Sequence, residues 1–176
     1  MIGQVRSVAD EHASAVDASA SASIAGAVRR GPGCPSATVG EAGSTSLRTV
    51  RISRAHWDQL VAHARDEAPN ECCGYMRLRD GSVEEVFRAV NERASPYGYE
   101  LDHRSLFAAN ELDDEGHGVA IYHSHPRSAP EPSQTDINLA HYPDWTYWIV
   151  SLDGEPTVRA WRIADGTVEE APVDVD

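Results

Sequence analysis

Val119-Ala120-Ile121-Tyr122 runs straight into His123-Ser124-His125-Pro126, and six residues later, after Arg127 to Pro132, comes Ser133-Gln134-Thr135-Asp136. The apolar four have the character of a strand buried in a sheet, which puts the histidines at a strand's end. Side chains alternate along a strand, so His123 and His125 project to one face. Ser133 to His141 reads as a short helix stopped before Pro143, and Asp136 on its first turn can return to the histidines across the Pro-rich loop. Two nitrogens and one oxygen can then hold one zinc ion with a fourth tetrahedral position open to water. An open position belongs to catalysis rather than to structure.

Each piece also has a plainer reading. Ser133-x-x-Asp136 matches a capping box, in which the serine caps the helix and the acid reaches back. A bare His-x-His is common at strand edges. What the catalytic reading needs is a base outside the ligand set to take a proton from water, and Glu71 is the candidate. It follows Pro69-Asn70 and opens a stretch through Cys72-Cys73-Gly74, where the glycine permits close approach of another backbone. Ser133 would donate a hydrogen bond to the oxyanion formed as water attacks a carbonyl.

Outward from the motif, Leu47 to Ile52 alternates as a strand, and Ser53 caps a helix with Trp57, Leu60, Val61, Ala64 and Ala68 on one face. Cys73 to Leu78 and Val83 to Val90 flank Asp80-Gly81, a hairpin turn pair. Tyr97 to Leu101 looks extended, and Asp102 caps a helix that stops at Gly116. Trp145 to Leu152 and Thr157 to Ile163 read as two more strands, followed by a hairpin at Asp165-Gly166 and an acidic end. Strands interleaved with about three helices give an α/β domain with a mixed sheet.

The first 46 residues are mostly Ala, Ser and Gly without a sustained apolar period, and are expected to be a disordered tail, leaving 47–176 as one domain. The chain contains no lysine and carries a formal charge of −13. The first 48 residues hold four charges of each sign, so the excess falls on the rest, 24 acidic against 11 basic. Such a surface repels phosphate backbones, and no nucleic-acid partner is expected. No apolar stretch is long enough to span a bilayer, and no signal or transit peptide is visible. Cys34, Cys72 and Cys73 form no disulfide framework, which favours a reducing compartment, the cytoplasm. Cys72 and Cys73 read as small buried side chains rather than nucleophiles. His103, His117 and His141 read as surface or capping residues, and His56 and His63 have no ligand partner at useful spacing.

Taken together, Glu71-Cys72-Cys73-Gly74, His123-Ser124-His125-Pro126 and Ser133-x-x-Asp136 resemble the JAMM (MPN+) zinc metallopeptidases, over about residues 49–163. The resemblance implies a cytidine-deaminase-like fold and one zinc ion per chain held by His123, His125 and Asp136. It also implies Glu71 as general acid/base and Ser133 as the group stabilising the tetrahedral intermediate. Family members cut peptide or isopeptide bonds after the C-terminal glycines of ubiquitin-like proteins. Glu-Cys-Cys-Gly and the compact domain are similar to the small prokaryotic branch, including the Mec-type enzymes that release cysteine from a sulfur-carrier protein. The implied partner is a ubiquitin-like or sulfur-carrier protein ending in Gly-Gly. Asp136 and Trp145 lie too close for the long insertion with which chain-specific relatives clamp polyubiquitin. Two rivals stand beside this reading. The loop Pro130 to Gln134 followed by Asp136-Ile137 is also similar to RadC-like proteins linked to DNA, and a non-catalytic MPN scaffold would bind partners without cleaving them.

Overall fold

The computed structural model describes residues 49–176, and the tail expected over 1–46 lies outside them. In chain order the elements are β1 (Val50–Ile52), α1 (Arg54–Glu67), β2 (Cys73–Arg79), β3 (Ser82–Ala89), α2 (His103–Asp114), β4 (Gly118–His125), α3 (Gln134–Leu139), β5 (Thr146–Ser151), β6 (Thr157–Ala164), β7 (Thr167–Ala171) and β8 (Val173–Val175). The eight strands form one sheet in the order β7-β6-β5-β4-β2-β3-β1-β8. It is mixed, as expected: β4 runs parallel to β5 and β1 parallel to β3 and β8, while the remaining neighbours are antiparallel.

Local chemistry accounts for most boundaries. Ser53 caps α1 by accepting from the His56 N–H, and Asp102 caps α2 by accepting from Ser105. Asp80 and Gly81 both have positive φ, 49° and 76°, as the tight β2–β3 hairpin turn requires. Tyr97 to Leu101 is not a strand. Isolated bridges Asn91–Leu101 and Ser95–Gly98 close a loop there, because the Asn91 side chain satisfies the backbone groups a strand partner would have taken. β8 was not foreseen. Its alternation is only three residues long and acidic, and pairing with β1 alone creates it.

Period-two alternation splits the core between the two sheet faces. One face carries Met76, Leu78, Ala120, Tyr122 and Trp148 against Leu60, Val61 and Ala64 of α1. The other carries Tyr75, Val119, Ile121, Tyr147 and Ile149 against Ala109 of α2 and Ile137 of α3. His123 and His125 continue the parity of Val119 and Ile121, so the motif histidines belong to the α2/α3 face. Among the described residues no helix is long and apolar enough to cross a membrane.

Gly74 is where β2 meets Tyr122. A Cβ there would lie 2.3 Å from the Phe87 carbonyl oxygen and 2.5 Å from the Tyr122 ring. Beneath the same ring, His63 Nδ1 and the Tyr122 hydroxyl share a 2.8 Å hydrogen bond, and His63 is 3% exposed. Burial, with a smaller contribution from Arg88, lowers His63 from 6.5 to about 4 against the opposing charge of Asp66. The helix-face histidine that looked featureless in sequence is therefore a neutral core residue.

Two outcomes follow for stability. Gly74→Ala is expected to destabilise by about 3 kcal/mol, because backbone and an enclosed ring must both move, measured as a shift of the urea midpoint. His63 titrates lower in the folded than in the unfolded chain, so its stabilisation is complete above pH 6.5 and lost as the pH falls from 6.5 towards about 4. Urea midpoints recorded between pH 7 and 5 should decline less steeply in His63→Asn than in the wild type; equal slopes would show that His63 does not contribute.

Candidate active site

The antiparallel register of β2 and β4 assembles the first half of the site. Cys73 lies opposite His123, and the Ser124 N–H donating to the Cys72 carbonyl (3.0 Å) extends the ladder one step further. Continued once more, that register sets Glu71 across from His125 on the α2/α3 face. Ser124 points the other way, fully buried, and its Oγ accepts from the Cys72 N–H at 2.8 Å, which fastens the segment next to Glu71 to the motif strand.

α3 brings the second half. His123 Nε2 and His125 Nε2 lie 3.2 Å apart, with Asp136 Oδ1 3.4 Å from the first and Asp136 Oδ2 3.6 Å from the second. All three residues are buried, and one donor atom from each falls within 4.8 Å of the others. His125 Nδ1 is 2.8 Å from the Ala129 carbonyl oxygen. A carbonyl only accepts, so Nδ1 carries the hydrogen and Nε2 presents its lone pair inward, as a metal-binding imidazole does. Burial lowers the His123 imidazole below its ordinary value, partly offset by Asp136. In His125 burial is outweighed by Asp136 and the Ala129 carbonyl, and its value is raised. Burial alone would also raise Asp136, but the adjacent His123 and His125 imidazoles hold it well below the usual carboxylate range. Two imidazoles and an ionised carboxylate brought this close together form a donor set that could hold a metal ion.

Glu71 is 6% exposed, and its Oε2 has no hydrogen-bond partner. Burial raises its carboxyl to about 7, opposed by His125 and Arg93 and reinforced by Asp136. A buried carboxylic acid left unpaired beside a ligand cluster has the signature of a working group rather than a structural one. Ser133 completes the capping box: its Oγ accepts from the Asp136 N–H (3.2 Å), and its own N–H donates to Asp136 Oδ2 (2.7 Å). The plainer reading of Ser133-x-x-Asp136 is thus realised alongside the ligand geometry. Cys72 and Cys73 are buried free thiols, both pushed up to about 12 by burial, and are inert at neutral pH.

Four consecutive residues of the loop between His125 and Asp136 are held from outside it. Ser151 Oγ donates to the Ser128 carbonyl (2.6 Å), His125 holds Ala129, the Trp161 indole N–H donates to the Pro130 carbonyl (3.0 Å), and Arg159 pairs with Glu131 (3.0 Å). β5 and β6 therefore set the span between the second and third candidate ligands. Sequence gave no sign of these struts, because serine, tryptophan and arginine in strands announce no particular contact.

Tyr99 was missed for a similar reason. Its ring stacks on His123 with centroids 4.3 Å apart and planes 20° from parallel. The loop that carries it is fastened to Glu71: the Glu71 N–H donates to the Ser95 carbonyl (2.9 Å), and Asn91 Nδ2 donates to the Glu71 and Gly98 carbonyls. The turn-rich composition of Asn91 to Pro96 marked a loop but not what it touches. Beyond Tyr99 opens a cavity of 490 Å³ whose lining includes Arg93, Leu106, Thr135 and Tyr147.

The family model Prok-JAB, prokaryotic homologs of the JAB domain, matches residues 53–164. A CysO-cysteine peptidase from Mycobacterium tuberculosis is 40% identical over 123 residues, spanning 66% of this chain and 84% of that protein. A desampylase from Haloferax volcanii is 37% identical over 114 residues, 59% of this chain and 81% of the relative. A crystal structure of a JAB1/MPN domain protein from Archaeoglobus fulgidus shares the fold, with a TM-score of 0.50 at 18% identity, covering 76% of this chain and 100% of that one. With a match that runs from α1 through β6 and takes in more than half of the chain, this chain belongs to the Prok-JAB family.

Proposed function

We propose that this protein is a zinc-dependent peptidase that hydrolyses the bond after the C-terminal glycine of a small ubiquitin-like or sulfur-carrier protein, releasing cysteine from a carrier–cysteine adduct. The reaction is assigned to residues 47–176 and to the cytoplasm. The observation that carries it is Glu71, a buried carboxyl raised to about 7 with an unpartnered oxygen, beside the converging His123, His125 and Asp136. The names of the relatives, CysO-cysteine peptidase and desampylase, support the substrate class. The compact span between Asp136 and Trp145, with no long insertion, favours a small carrier over a ubiquitin chain.

In this reading His123, His125 and Asp136 hold the metal. Bound there, zinc supplies a Lewis acid that polarises the scissile carbonyl and eases deprotonation of water. Glu71 accepts the proton that water gives up as its oxygen bonds to the carbonyl carbon. The same carboxyl returns that proton to the amide nitrogen as the C–N bond breaks, and the remaining proton of the new carboxyl passes to the amine, leaving a glycine carboxylate and an ammonium group. A carboxyl near neutrality can do both, since neither transfer is then strongly uphill at pH 7. Ser133 donates to the carbonyl oxygen as charge develops there, and its tie to Asp136 fixes where that donor stands. Tyr99 stacked on His123 keeps the imidazole in one orientation and shields it from water.

Glu71→Gln should retain zinc by elemental analysis and lose turnover by about 10²–10⁴-fold, the range for removal of a general base. His123→Ala and Asp136→Ala should lose the metal as well. Ser133→Ala should keep zinc, lower kcat by about 10²–10³-fold and, as a lost helix cap, cost about 1 kcal/mol of stability. The assay is intact-mass detection of cysteine release from a carrier–cysteine adduct. Wild-type protein that neither carries zinc after gentle purification nor gains activity on its addition would refute the proposal.

A further inference from the structure

The cavity beyond Tyr99 has one arginine among its lining residues, Arg93. Most arginines of the sheet are neutralised: Arg77 pairs with Glu84 and Glu85, Arg88 with Asp66, and Arg159 with Glu131 and Glu170. Arg93 has no carboxylate partner among the described residues, although the domain carries more than twice as many acids as bases. Its position is built rather than incidental. Asn91 Oδ1 accepts from the Arg93 N–H (3.0 Å) and from the Glu100 N–H (3.1 Å), closing the loop around the arginine. The guanidinium lies across Gly98, where a Cβ would come within 2.9 Å of Nη1, so a side chain at 98 would displace it. The same loop is hydrogen-bonded to the Glu71 backbone, and Arg93 lies near enough to act on the Glu71 carboxyl. An exposed, loop-braced guanidinium thus lines an aromatic-walled cavity within electrostatic reach of the candidate base.

Resting on the carrier hydrolysis proposed above, we infer that Arg93 is a specificity-determining residue that binds the free α-carboxylate of the departing amino acid. The enzyme would then favour a carrier bearing a single C-terminal residue over one joined to a protein lysine. The two substrate types differ at this point. A lone cysteine added after the last glycine ends in a carboxylate, which guanidinium matches in charge and in its two-pronged geometry. A lysine-linked protein offers an aliphatic stem there and no free carboxylate. The Gly-Gly side of the bond has neither charge nor side chain for an arginine and tyrosines to recognise, which assigns this cavity to the leaving group. Glu100, His103 and His141 also line it. Among these lining residues Arg93 alone supplies a permanent positive charge, which makes its guanidinium the place for the carboxylate.

The test compares two substrates made from one sulfur carrier: an adduct with C-terminal cysteine, and the same adduct with its terminal carboxylate converted to a carboxamide. Wild-type kcat/KM should favour the free acid by about 10- to 100-fold, the value of a hydrogen-bonded charge pair. Arg93→Gln should remove the preference, bringing the ratio of the free-acid rate to the amide rate to about one with the zinc content unchanged, and Arg93→Lys should restore part of it. Equal cleavage of both substrates by wild type, or an equal loss on both in Arg93→Gln, overturns the carboxylate role and leaves the hydrolysis standing. Cleavage of neither substrate by zinc-loaded wild type overturns the hydrolysis, and this inference with it.

Discussion

Everything at the site depends on the pairing of β2 with β4. With Cys73 opposite His123, each step along either strand exchanges faces, and Glu71, His123 and His125 come out together on the α2/α3 side. A slip of one residue would turn the histidines into the α1 core and Tyr122 into the cavity. Gly74 and Tyr122 guard against that slip, since only a glycine leaves room for the ring at that crossing. The Ser124 hydroxyl reinforces the same register from the opposite face through the Cys72 N–H.

Charge is handled by the same architecture. Burial pushes Glu71 up and His123 down, while Asp136, set against both imidazoles and accepting from the Ser133 N–H, stays ionised. Two carboxyl groups set beside the same imidazoles thereby acquire different protonation behaviour. Asp136 is a permanent anion suited to a cation; Glu71 is a group that exchanges a proton near neutrality. The distinction comes from neighbours rather than residue type, for Asp136 has partners on both oxygens and Glu71 has an oxygen with none.

Much of this was legible in the chain. Apolar runs, the Asp-Gly turn, Ser53, Asp102 and Gly116 marked the strands and helices because each signal is local. The five candidate site residues could be picked out because their chemistry survives translation into letters: two histidines at strand spacing, a carboxylate on the next helix turn, a serine beside it and a distant glutamate. What stayed hidden depends on contacts between distant segments. Tyr99 on His123, Trp161 on Pro130 and Ser151 on Ser128 use residues found in any sheet, and only the sheet order brings them to the loop. His63 read as featureless because its partner, the Tyr122 hydroxyl, lies 59 residues away in sequence. β8 escaped notice since three alternating residues carry little signal without their partner.

The struts on the motif loop reach further than the loop itself. Arg159, which holds Glu131, is gripped in turn by both oxygens of Glu170 at 2.7 Å and lies over the Trp161 ring. Glu170 belongs to β7, the outermost strand on that side of the sheet. The spacing between the second and third candidate ligands is therefore set by a chain of contacts that ends at the sheet's rim, in residues synthesised after every ligand. A nascent or truncated chain could contain the complete motif and still lack the frame that brings its ligands together, so hydrolytic competence arrives only with the finished sheet.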